Sequence, residues 1–332
     1  MRFGVRMPAH HPIREMIACV RRAEAAGFDA AWFPDSHLNY RDVWTTLGAV
    51  AVSSERIQIG PTVTNLVSRH VTVTASAARA VSEAAPGRFL LGIGAGDSAI
   101  GFDGMRNSKL AEMREGVARL RALMAGEGVT FGDFEARLRD AHEHPPIYMA
   151  GSGPKTLELA GAIADGAIVM LGDIPRKIGD VRRGAEAADR PAPPVFAYTM
   201  GAIVEDIERA SKAFKAGCVR TAQLEGVRVF EEAGVRVELP PGGHVMGAKG
   251  DIGHAASHKD VAHLVEDLVS DEAALWYARS RTLVGSEADI RARLEVLREQ
   301  GLCGVTMTEF SGSKLPDRLI ETIGPLVRTL AA

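Results

Sequence analysis

Short apolar runs alternate with stretches of helical periodicity along the first half of this chain. Residues 2–7 form the first predicted strand, and apolar residues at helical spacing follow over 13–26 until Gly27 ends the helix. The same unit recurs with predicted strands at 29–34, 56–62 and within 86–96, and with helices at about 42–53 and 70–85. A repeat of this kind predicts a parallel sheet covered by helices.

Four more candidate strands occupy the second half of the chain. They are predicted at 145–150, 166–170, 195–203 and 304–307, with helices at about 110–126, 155–164, 205–216, 260–278, 286–300 and 315–330. Residues 225–259 are rich in Gly and His and fit neither pattern, so we interpret them as an insertion or lid. Eight strands that each pair with a helix predict a single (β/α)8 TIM-barrel domain over residues 1–332. A doubly wound sheet is the alternative, although no G-x-G-x-x-G motif follows the first strand.

Composition narrows the class of protein. The 332 residues are 46% hydrophobic and 24% charged, a composition typical of globular proteins. The 39 basic and 42 acidic side chains give a net charge of -3. This charge argues against nucleic acid or a membrane surface as a partner. No signal-peptide core and no run of about 20 apolar residues occurs. The cysteines Cys19, Cys218 and Cys303 form no C-x-x-C pair, which favours a reducing compartment. We therefore predict a cytoplasmic protein.

In a (β/α)8 barrel, side chains at the carboxyl ends of the strands meet at one mouth. Candidates at the predicted strand ends are Asp35, Ser36 and His37; Thr64 and Asn65; Gly94, Ala95, Gly96, Asp97 and Ser98; Gly151 to Lys155; and Thr306 to Glu309. An imidazole such as His37, oriented by a carboxylate such as Asp35, is suited to donate a proton or to hydrogen-bond a redox ring. The alternative is a purely structural histidine. The small residues of 94–98 let a ligand approach the backbone, and a tight turn without a ligand is the alternative.

The segment Gly151-Ser152-Gly153-Pro154-Lys155 predicts an anion site. Pro154 stands where the first turn of a helix should begin. Free amide groups at that point, together with the helix dipole and Lys155, suit a phosphate group. The alternative is a helix capped by Ser152 that binds no anion.

Metal-dependent and serine-triad chemistry find little support in the sequence. His142 and His144, and the set His254, His258 and His263, lack an H-E-x-x-H or carboxylate-bridged pattern. No G-x-S-x-G elbow occurs. We predict that no metal is bound.

Several motifs stand in a characteristic order along the chain. They are Trp32 to His37 with Arg41 to Trp44, Thr62 to Asn65 with Arg69-His70, Gly87 to Asp97, Gly151 to Ala160 with Ala164 to Ile168, and Gly285 to Gly301. Together, by their order and spacing, these motifs resemble the luciferase-like flavin-dependent oxidoreductases. Within that superfamily, the chain looks most like the arm that contains the coenzyme F420-dependent methylenetetrahydromethanopterin reductases. The likeness covers nearly the whole chain.

The resemblance implies a barrel that binds F420 or FMN at the carboxyl ends of its strands. It places a cis non-prolyl peptide at Thr62-Val63, beside Thr64, behind the cofactor ring. By the same resemblance, His37 and Asn65 face the ring, Gly94, Ala95, Gly96, Asp97 and Ser98 line its polar edge, Gly151, Ser152, Gly153 and Lys155 hold the phosphate, and Ala167 and Ile168 contact the ring region. Ser36 separates Asp35 from His37, where the reductases often have an adjacent pair, so either side chain remains a candidate acid.

Three functions follow as alternatives. The first is F420-dependent hydride transfer to or from a small organic substrate, in which the protein orients ring and substrate. The second is an FMNH2-dependent monooxygenase fed by a separate flavin reductase. The third is a flavin-binding protein without turnover. The resemblance also implies a homodimer and leaves room for a separate flavin or F420 reductase as a partner.

Overall fold

A computed structural model of the chain describes residues 1–96, 98–101, 104–243, 245–247, 250–251, 263–310 and 315–331. Its strands are β1 (Arg2–Arg6), β2 (Ala30–Phe33), β3 (Gln58–Pro61), β4 (Thr64–Asn65), β5 (Leu91–Gly94), β6 (Val129–Phe131), β7 (Phe134–Ala136), β8 (Ile147–Ala150), β9 (Gly166–Met170), β10 (Val195–Ile203), β11 (Met246–Gly247), β12 (Gly250–Asp251), β13 (Leu283–Gly285) and β14 (Gly304–Glu309). Ten of them form one parallel sheet in the order β3-β2-β1-β14-β10-β9-β8-β5-β4, with β13 beside β10.

The two ends of this sheet join at β3. Ile59 makes a parallel bridge with Phe89, just before β5. The Ile59 amide donates to the Arg88 carbonyl at 2.8 Å, and the Leu90 amide donates to the Ile59 carbonyl at 2.9 Å. The sheet therefore curls into a barrel whose eight main strands, β1, β2, β3, β5, β8, β9, β10 and β14, follow one another in chain order. The (β/α)8 barrel predicted from the sequence is confirmed.

Helices surround the barrel and follow its strands in the chain. They are α1 (Ile13–Ala25), α2 (Val43–Ala51), α3 (Val71–Ala84), α4 (Ser98–Gly101), α5 (Leu110–Met124), α6 (Pro154–Ile163), α7 (Ile174–Ala187), α8 (Ile207–Ser211), α9 (Lys215–Glu225), α10 (Arg228–Glu231), α11 (Asp271–Arg281), α12 (Glu287–Glu299) and α13 (Asp317–Ala331). The outward side chains of the strands, such as Val5, Phe33 and Ile93, are buried against this helical layer. Burying these apolar side chains is the main force that holds helices and sheet together.

Large inward side chains fill the barrel interior. Trp32, Tyr148 and Phe196 lie in this layer, with ring centroids 6.4 Å apart for Trp32–Tyr148 and 5.4 Å apart for Tyr148–Phe196. Two glycines make room for them. A Cβ atom at Gly4 would lie 2.9 Å from the Trp32 Nε1, and one at Gly60 would lie 2.0 Å from the Leu90 carbonyl oxygen. The barrel interior is thus a packed core below its mouth.

The segment of chain that connects β10 to β13 forms a second apolar core. Phe214, Phe230 and Tyr277 are buried in it, with contributions from α9, α10 and α11. The predicted insertion at 225–259 is part of this longer helical segment, and some of that range lies outside the described residues. The insertion between the seventh and eighth barrel strands therefore has its own core.

Three buried charges connect this second core to the barrel. Glu225 at the end of α9 accepts from the Lys177 Nζ of α7 at 2.9 Å and from an Arg281 nitrogen of α11 at 2.6 Å. Burial alone raises the pKa of Glu225, but Lys177 and Arg281 outweigh it and hold that pKa below its ordinary value. The carboxylate therefore stays ionised between its two cations.

Some elements differ from the sequence-based predictions. Helix α7, the β6–β7 hairpin and strand β13 were not predicted. In α7 the buried positions include Lys177 and Asp180, whose charges interrupt the apolar stripe that reveals a helix. The helix predicted over 260–278 is also wrong in its bounds. A new helix, α11, begins after Ser270, whose hydroxyl accepts from the Ala273 amide at 3.1 Å.

Gly60→Ala should destabilise the protein, because its added methyl group overlaps the Leu90 carbonyl, which cannot move without opening the barrel. We expect the free energy of unfolding to fall by about 3 kcal/mol or more in urea titrations, the upper range for overpacking. Gly48→Ala is the matched control, since nothing lies within 4 Å of a Cβ there and Gly48 is inside helix α2. That change should stabilise by about 0.5 to 1 kcal/mol. Equal effects of the two substitutions would contradict this account of the closure.

Candidate active site at the barrel mouth

The segment after β3 brings two groups of predicted site residues together. The Thr62–Val63 peptide is cis, as the family resemblance predicted. The chain then forms β4, whose Thr64 lies opposite Ile93 and whose Asn65 lies opposite Gly94 of β5. Residues assigned from the third and fourth predicted strands therefore share one part of the mouth.

Asn65 presents an unused hydrogen-bond donor at this position. Its side chain is buried, and its Oδ1 accepts from the amides of Val67 at 2.9 Å and Ser68 at 2.8 Å. These two bonds fix the orientation of the amide group. The Asn65 Nδ2 and the Thr62 Oγ1 are both buried and find no hydrogen-bond partner among the described residues. A buried polar atom without a partner costs about 1 to 3 kcal/mol, so such atoms point to a ligand.

A buried ion pair fixes the ends of β2 and β4 relative to each other. The Asp35 Oδ2 accepts from the Thr64 hydroxyl at 2.7 Å and from an Arg69 nitrogen at 2.6 Å. The other terminal nitrogen of Arg69 donates to Asp42 at 2.8 Å. Burial alone raises the pKa of Asp42, but hydrogen bonds from Thr45 and Arg69 outweigh it and hold that pKa below its ordinary value. Arg69 thus joins two carboxylates at the rim of the mouth.

Asp35 and His37 have different surroundings. The Asp35 carboxylate is only 2% exposed and is engaged by Thr64 and Arg69. His37, two residues further along, is exposed to solvent. Of the two candidate acids, His37 is therefore the one whose side chain is accessible, whereas Asp35 is held in place by Thr64 and Arg69.

Close packing accounts for the glycines of the fourth barrel strand. A Cβ atom at Gly92 would lie 2.2 Å from the Pro61 carbonyl oxygen, and one at Gly94 would lie 2.6 Å from Val63. Gly96 has φ +98°, a backbone conformation that favours glycine. Ala95 is half-buried between them. These glycines let β5 lie directly against the cis peptide, which itself borders the mouth.

The two polar residues predicted next in this loop are not fully placed. Asp97 lies outside the described residues, and Ser98 begins the short helix α4, although its side chain is not described.

Helix α6 begins at a glycine rather than at a capping serine. Gly153 occupies the N-cap position, and within the described part of the chain no side chain caps the helix, so the Ser152-capped alternative is wrong. Pro154 forms the first turn, as predicted. Nothing described lies within 4 Å of a Cβ at Gly153, and Lys155 is exposed nearby. The start of α6 therefore borders open space at Gly153, as an anion site requires.

The structure separates the two residues predicted on the sixth barrel strand. Ile168 faces the barrel interior with Trp32 and Tyr148. Ala167 is fully buried in the layer between sheet and helices. Because successive side chains of a strand point to opposite faces, only Ile168 presents its side chain to the interior.

Sequence reasoning assigned no role to Arg69, the central residue of the ion pair network. A signal was nevertheless present, because Asp35, Asp42 and Arg69 all follow predicted strands or begin predicted helices on the same side of the sheet. Charges placed there must either pair or remain in water.

The described residues contain neither a metal-binding cluster nor a membrane-spanning helix. Within those ranges no group of three or more His, Cys, Asp and Glu side chains is arranged to bind a metal ion. Nor does any helix in the same ranges have the length and apolar character needed to cross a membrane.

Asp35→Asn should destabilise the protein, because the change leaves the Arg69 guanidinium without its buried counter-charge. We expect the free energy of unfolding to fall by about 3 kcal/mol, as for other broken buried pairs. Asp317→Asn is the control. Asp317 pairs with Arg22, but its side chain is 44% exposed, so its loss should cost less than about 1 kcal/mol. A loss no larger for Asp35→Asn than for Asp317→Asn, in urea titrations at neutral pH, would contradict this role of Asp35.

The chain is similar to known proteins over most of its length. A family model described as luciferase-like monooxygenase matches residues 1–303. The chain is 31% identical to a 5,10-methylenetetrahydromethanopterin reductase of Methanolobus tindarius, with 98% of each chain covered. It is 36% identical to an F420-dependent glucose-6-phosphate dehydrogenase of Beutenbergia cavernae, over 48% of this chain and 53% of that protein.

Solved structures show the same fold at lower identity. The F420-dependent tetrahydromethanopterin reductase of Methanopyrus kandleri superimposes with a TM-score of 0.73 at 22% identity, with 97% of each chain covered. An F420-dependent secondary alcohol dehydrogenase in complex with an F420-acetone adduct superimposes with a TM-score of 0.75 at 19% identity, covering 99% of this chain and 98% of that one. The family model and the full-length relative together show that the chain belongs to the luciferase-like monooxygenase family.

Proposed function

We propose that this protein is an oxidoreductase that transfers hydride between coenzyme F420 and a small organic substrate at the barrel mouth. The observation that carries the proposal is the pair of buried, unpartnered polar atoms, Asn65 Nδ2 and Thr62 Oγ1, beside the cis Thr62–Val63 peptide. A flat heterocycle with polar edges would supply the missing partners. The relatives named above support F420, since the glucose-6-phosphate dehydrogenase among them is F420-dependent by name.

The residues of the mouth fit a flavin-type ring. In the proposed complex, Val63 supports one face of the ring, and Thr62, Thr64 and Asn65 lie at its polar edge. The backbone of Gly94, Ala95 and Gly96 lines the adjacent edge, and Asp97 and Ser98 remain predictions there. Ile168 closes the ring pocket from the barrel interior. F420 supplies a ring carbon that accepts or releases hydride, and the protein supplies its orientation and the exclusion of water.

The first turn of α6 is the proposed phosphate site. Ser152 and Gly153 bring backbone amides to the helix terminus, and Lys155 adds a positive charge at its surface. The Gly151 amide donates to the Ile168 carbonyl at 3.1 Å, so Gly151 contributes to the proposed site through its small size. A Cβ there would lie 2.7 Å from the Thr156 Cγ2 and would displace that side chain. The helix dipole and the free amides favour an anion at this point.

His37 is the proposed proton donor or acceptor for the substrate. It is exposed at the end of β2, whereas the buried Asp35 is engaged by Arg69 and Thr64. In this assignment, Asp35 maintains the geometry of β4 and therefore of Asn65. A positioned imidazole contributes typically about 10²- to 10⁴-fold to the rate of a proton-coupled reaction.

An FMNH2-dependent monooxygenase fed by a separate reductase is the second candidate. The description of the matching family favours it, and the proposed phosphate site serves FMN and F420 equally. A flavin-binding protein without turnover is the third candidate. A cytoplasmic homodimer whose single barrel domain comprises the whole chain stays a prediction.

Cofactor titrations distinguish these candidates. F420 should bind the purified protein more tightly than oxidised or reduced FMN, as measured by absorbance and fluorescence changes.

Gly153→Asp should weaken binding of the preferred cofactor by at least about tenfold, because a carboxylate then occupies the proposed phosphate site. Gly153→Ala is the matched control and should change affinity by less than about twofold, since its methyl group meets nothing within 4 Å. Binding of FMN without F420 would favour the monooxygenase.

His37→Ala should slow turnover without weakening cofactor binding. With F420 and a panel of a reduced pterin, a sugar phosphate and a secondary alcohol, we expect kcat to fall by about 100-fold or more on any active substrate. The Kd for F420 should stay within about twofold, since His37 is not among the groups proposed to hold the cofactor. His263→Ala, another exposed histidine, is the control and should leave kcat unchanged. Full activity of His37→Ala would exclude His37 as the acid.

A further inference from the structure

Arg6 places a positive charge at the end of the first barrel strand. It is the last residue of β1 and lies opposite Trp32 of β2. Like Gly4 two residues before it, Arg6 points to the barrel interior, because alternate residues of a strand share a face. Its guanidinium carbon lies 5.5 Å from the centre of the Tyr198 ring, on β10, so Arg6 sits above the aromatic side chains that fill the barrel. Arg6 therefore forms part of the floor of the mouth.

The guanidinium of Arg6 has no acidic partner in the part of the chain that the structure describes. Among the described residues, no carboxylate lies within ion-pair distance of Arg6, which is half-buried. The carboxylates at neighbouring strand ends are engaged elsewhere: Asp35 with Arg69, and Glu309 with the Leu319 amide at 2.7 Å. The Arg6 guanidinium does hydrogen-bond the Tyr40 hydroxyl, but a neutral hydroxyl does not balance the charge of an arginine, which is always protonated.

A second arginine adds positive charge near Arg6. Arg41 lies in the loop that follows β2 and donates to the carbonyls of Ala9 and His10, in the loop that follows β1. Burial, followed by the nearby charges of His11, Arg6 and Arg41, lowers the pKa of His10, so this imidazole stays neutral and does not offset them. Glu15 of α1 contacts His11 at 3.1 Å. The potential at this side of the mouth therefore favours an anion.

Arg6 stands on the opposite arc of the barrel from the residues proposed for the cofactor. Those residues follow β3, β5 and β8 or lie on β9, which are neighbours in the sheet. Arg6 and Tyr198 belong to β1 and β10, which both pair with β14 on the other arc. A molecule that contacts Arg6 would therefore approach the ring from the substrate side, next to the end of β2 where His37 lies.

We propose that the substrate carries an anionic group, a carboxylate or a phosphate, that the Arg6 guanidinium binds at the floor of the mouth. This inference rests on the proposed function for the position of the ring. The planar fork of an arginine presents two parallel donors to either anion, which suits recognition of a small acid or of a phosphorylated compound.

The first test measures anion binding without any cofactor. All proteins are full-length and carry Gly153→Asp, so that phosphate cannot bind at α6. Inorganic phosphate and acetate are titrated at constant ionic strength, and the rise in Tm gives an apparent affinity. We expect at least one anion to bind. Adding Arg6→Gln should weaken binding by at least about tenfold, and Arg6→Lys should weaken it less. Arg182→Gln, at an exposed position on α7, is the matched control and should change it by less than about twofold.

The pattern of anions identifies the substrate class. Binding of phosphate but not acetate indicates a phosphorylated substrate, and the reverse indicates a carboxylic acid. The proposal is overturned if neither anion raises the Tm, or if Arg6→Gln and Arg182→Gln bind anions equally well. Urea titrations of Arg6→Gln and Arg6→Lys confirm that the variants compared are folded.

A second test separates this inference from the proposed function. F420 should bind to Arg6→Gln, in an otherwise unchanged chain, within about twofold of its affinity for the original protein, since the cofactor contacts lie on the other arc. Loss of F420 binding in Arg6→Gln but not in Arg182→Gln would assign Arg6 to the cofactor and overturn the inference. If the original protein binds no F420, the proposed function fails, while the anion titration still decides the role of Arg6.

Discussion

The architecture depends on the close approach of β3 and β5, where the barrel closes. Backbone meets backbone at this seam, because Gly60 and Gly92 leave no side chain between the strands. The cis peptide after Pro61 then turns the chain so that β4 pairs with the end of β5. One steric requirement thus closes the fold and also places Asn65 at the mouth. The residues that complete the barrel and the residues that border the proposed ligand site are the same short stretch of chain.

Charge pairing gives the mouth two different sides. On one side, Arg69 pairs with both Asp35 and Asp42, and the unpartnered groups of Thr62 and Asn65 are uncharged. On the other side, Arg6 lacks a carboxylate among the described residues. Neutral hydrogen-bonding groups can orient a ring, whereas a cation without a counter-charge favours a ligand that carries a negatively charged group. The two sides therefore make separate contributions to recognition, one concerned with geometry and the other with electrostatics.

The sequence was informative wherever one simple requirement controlled the structure. All eight barrel strands were predictable, because strands buried on both faces read as short apolar runs. Pro154 marked the start of α6 because its ring suits only the first turn of a helix. The cis bond at Thr62–Val63 came from family resemblance alone. Helix α7 was missed because its buried residues Lys177 and Asp180 are charged. They form ion pairs with side chains that are remote in sequence or lie on the same helix, and hydrophobic periodicity cannot show such ion pairs. The inward or outward direction of Ala167 and Ile168 depends on strand register, which only the folded sheet defines.

The separate apolar core of the insertion has a consequence for how this protein can change. The segment between β10 and β14 buries its own side chains, and Glu225, held by Lys177 and Arg281, is a buried ionic link between it and the barrel. The helical side chains of that second core are a different set from those of the main barrel core, although Ala202 of β10 and Val284 of β13 belong to it. Evolution can therefore change the helices that follow β10 while the core that closes the barrel keeps its packing.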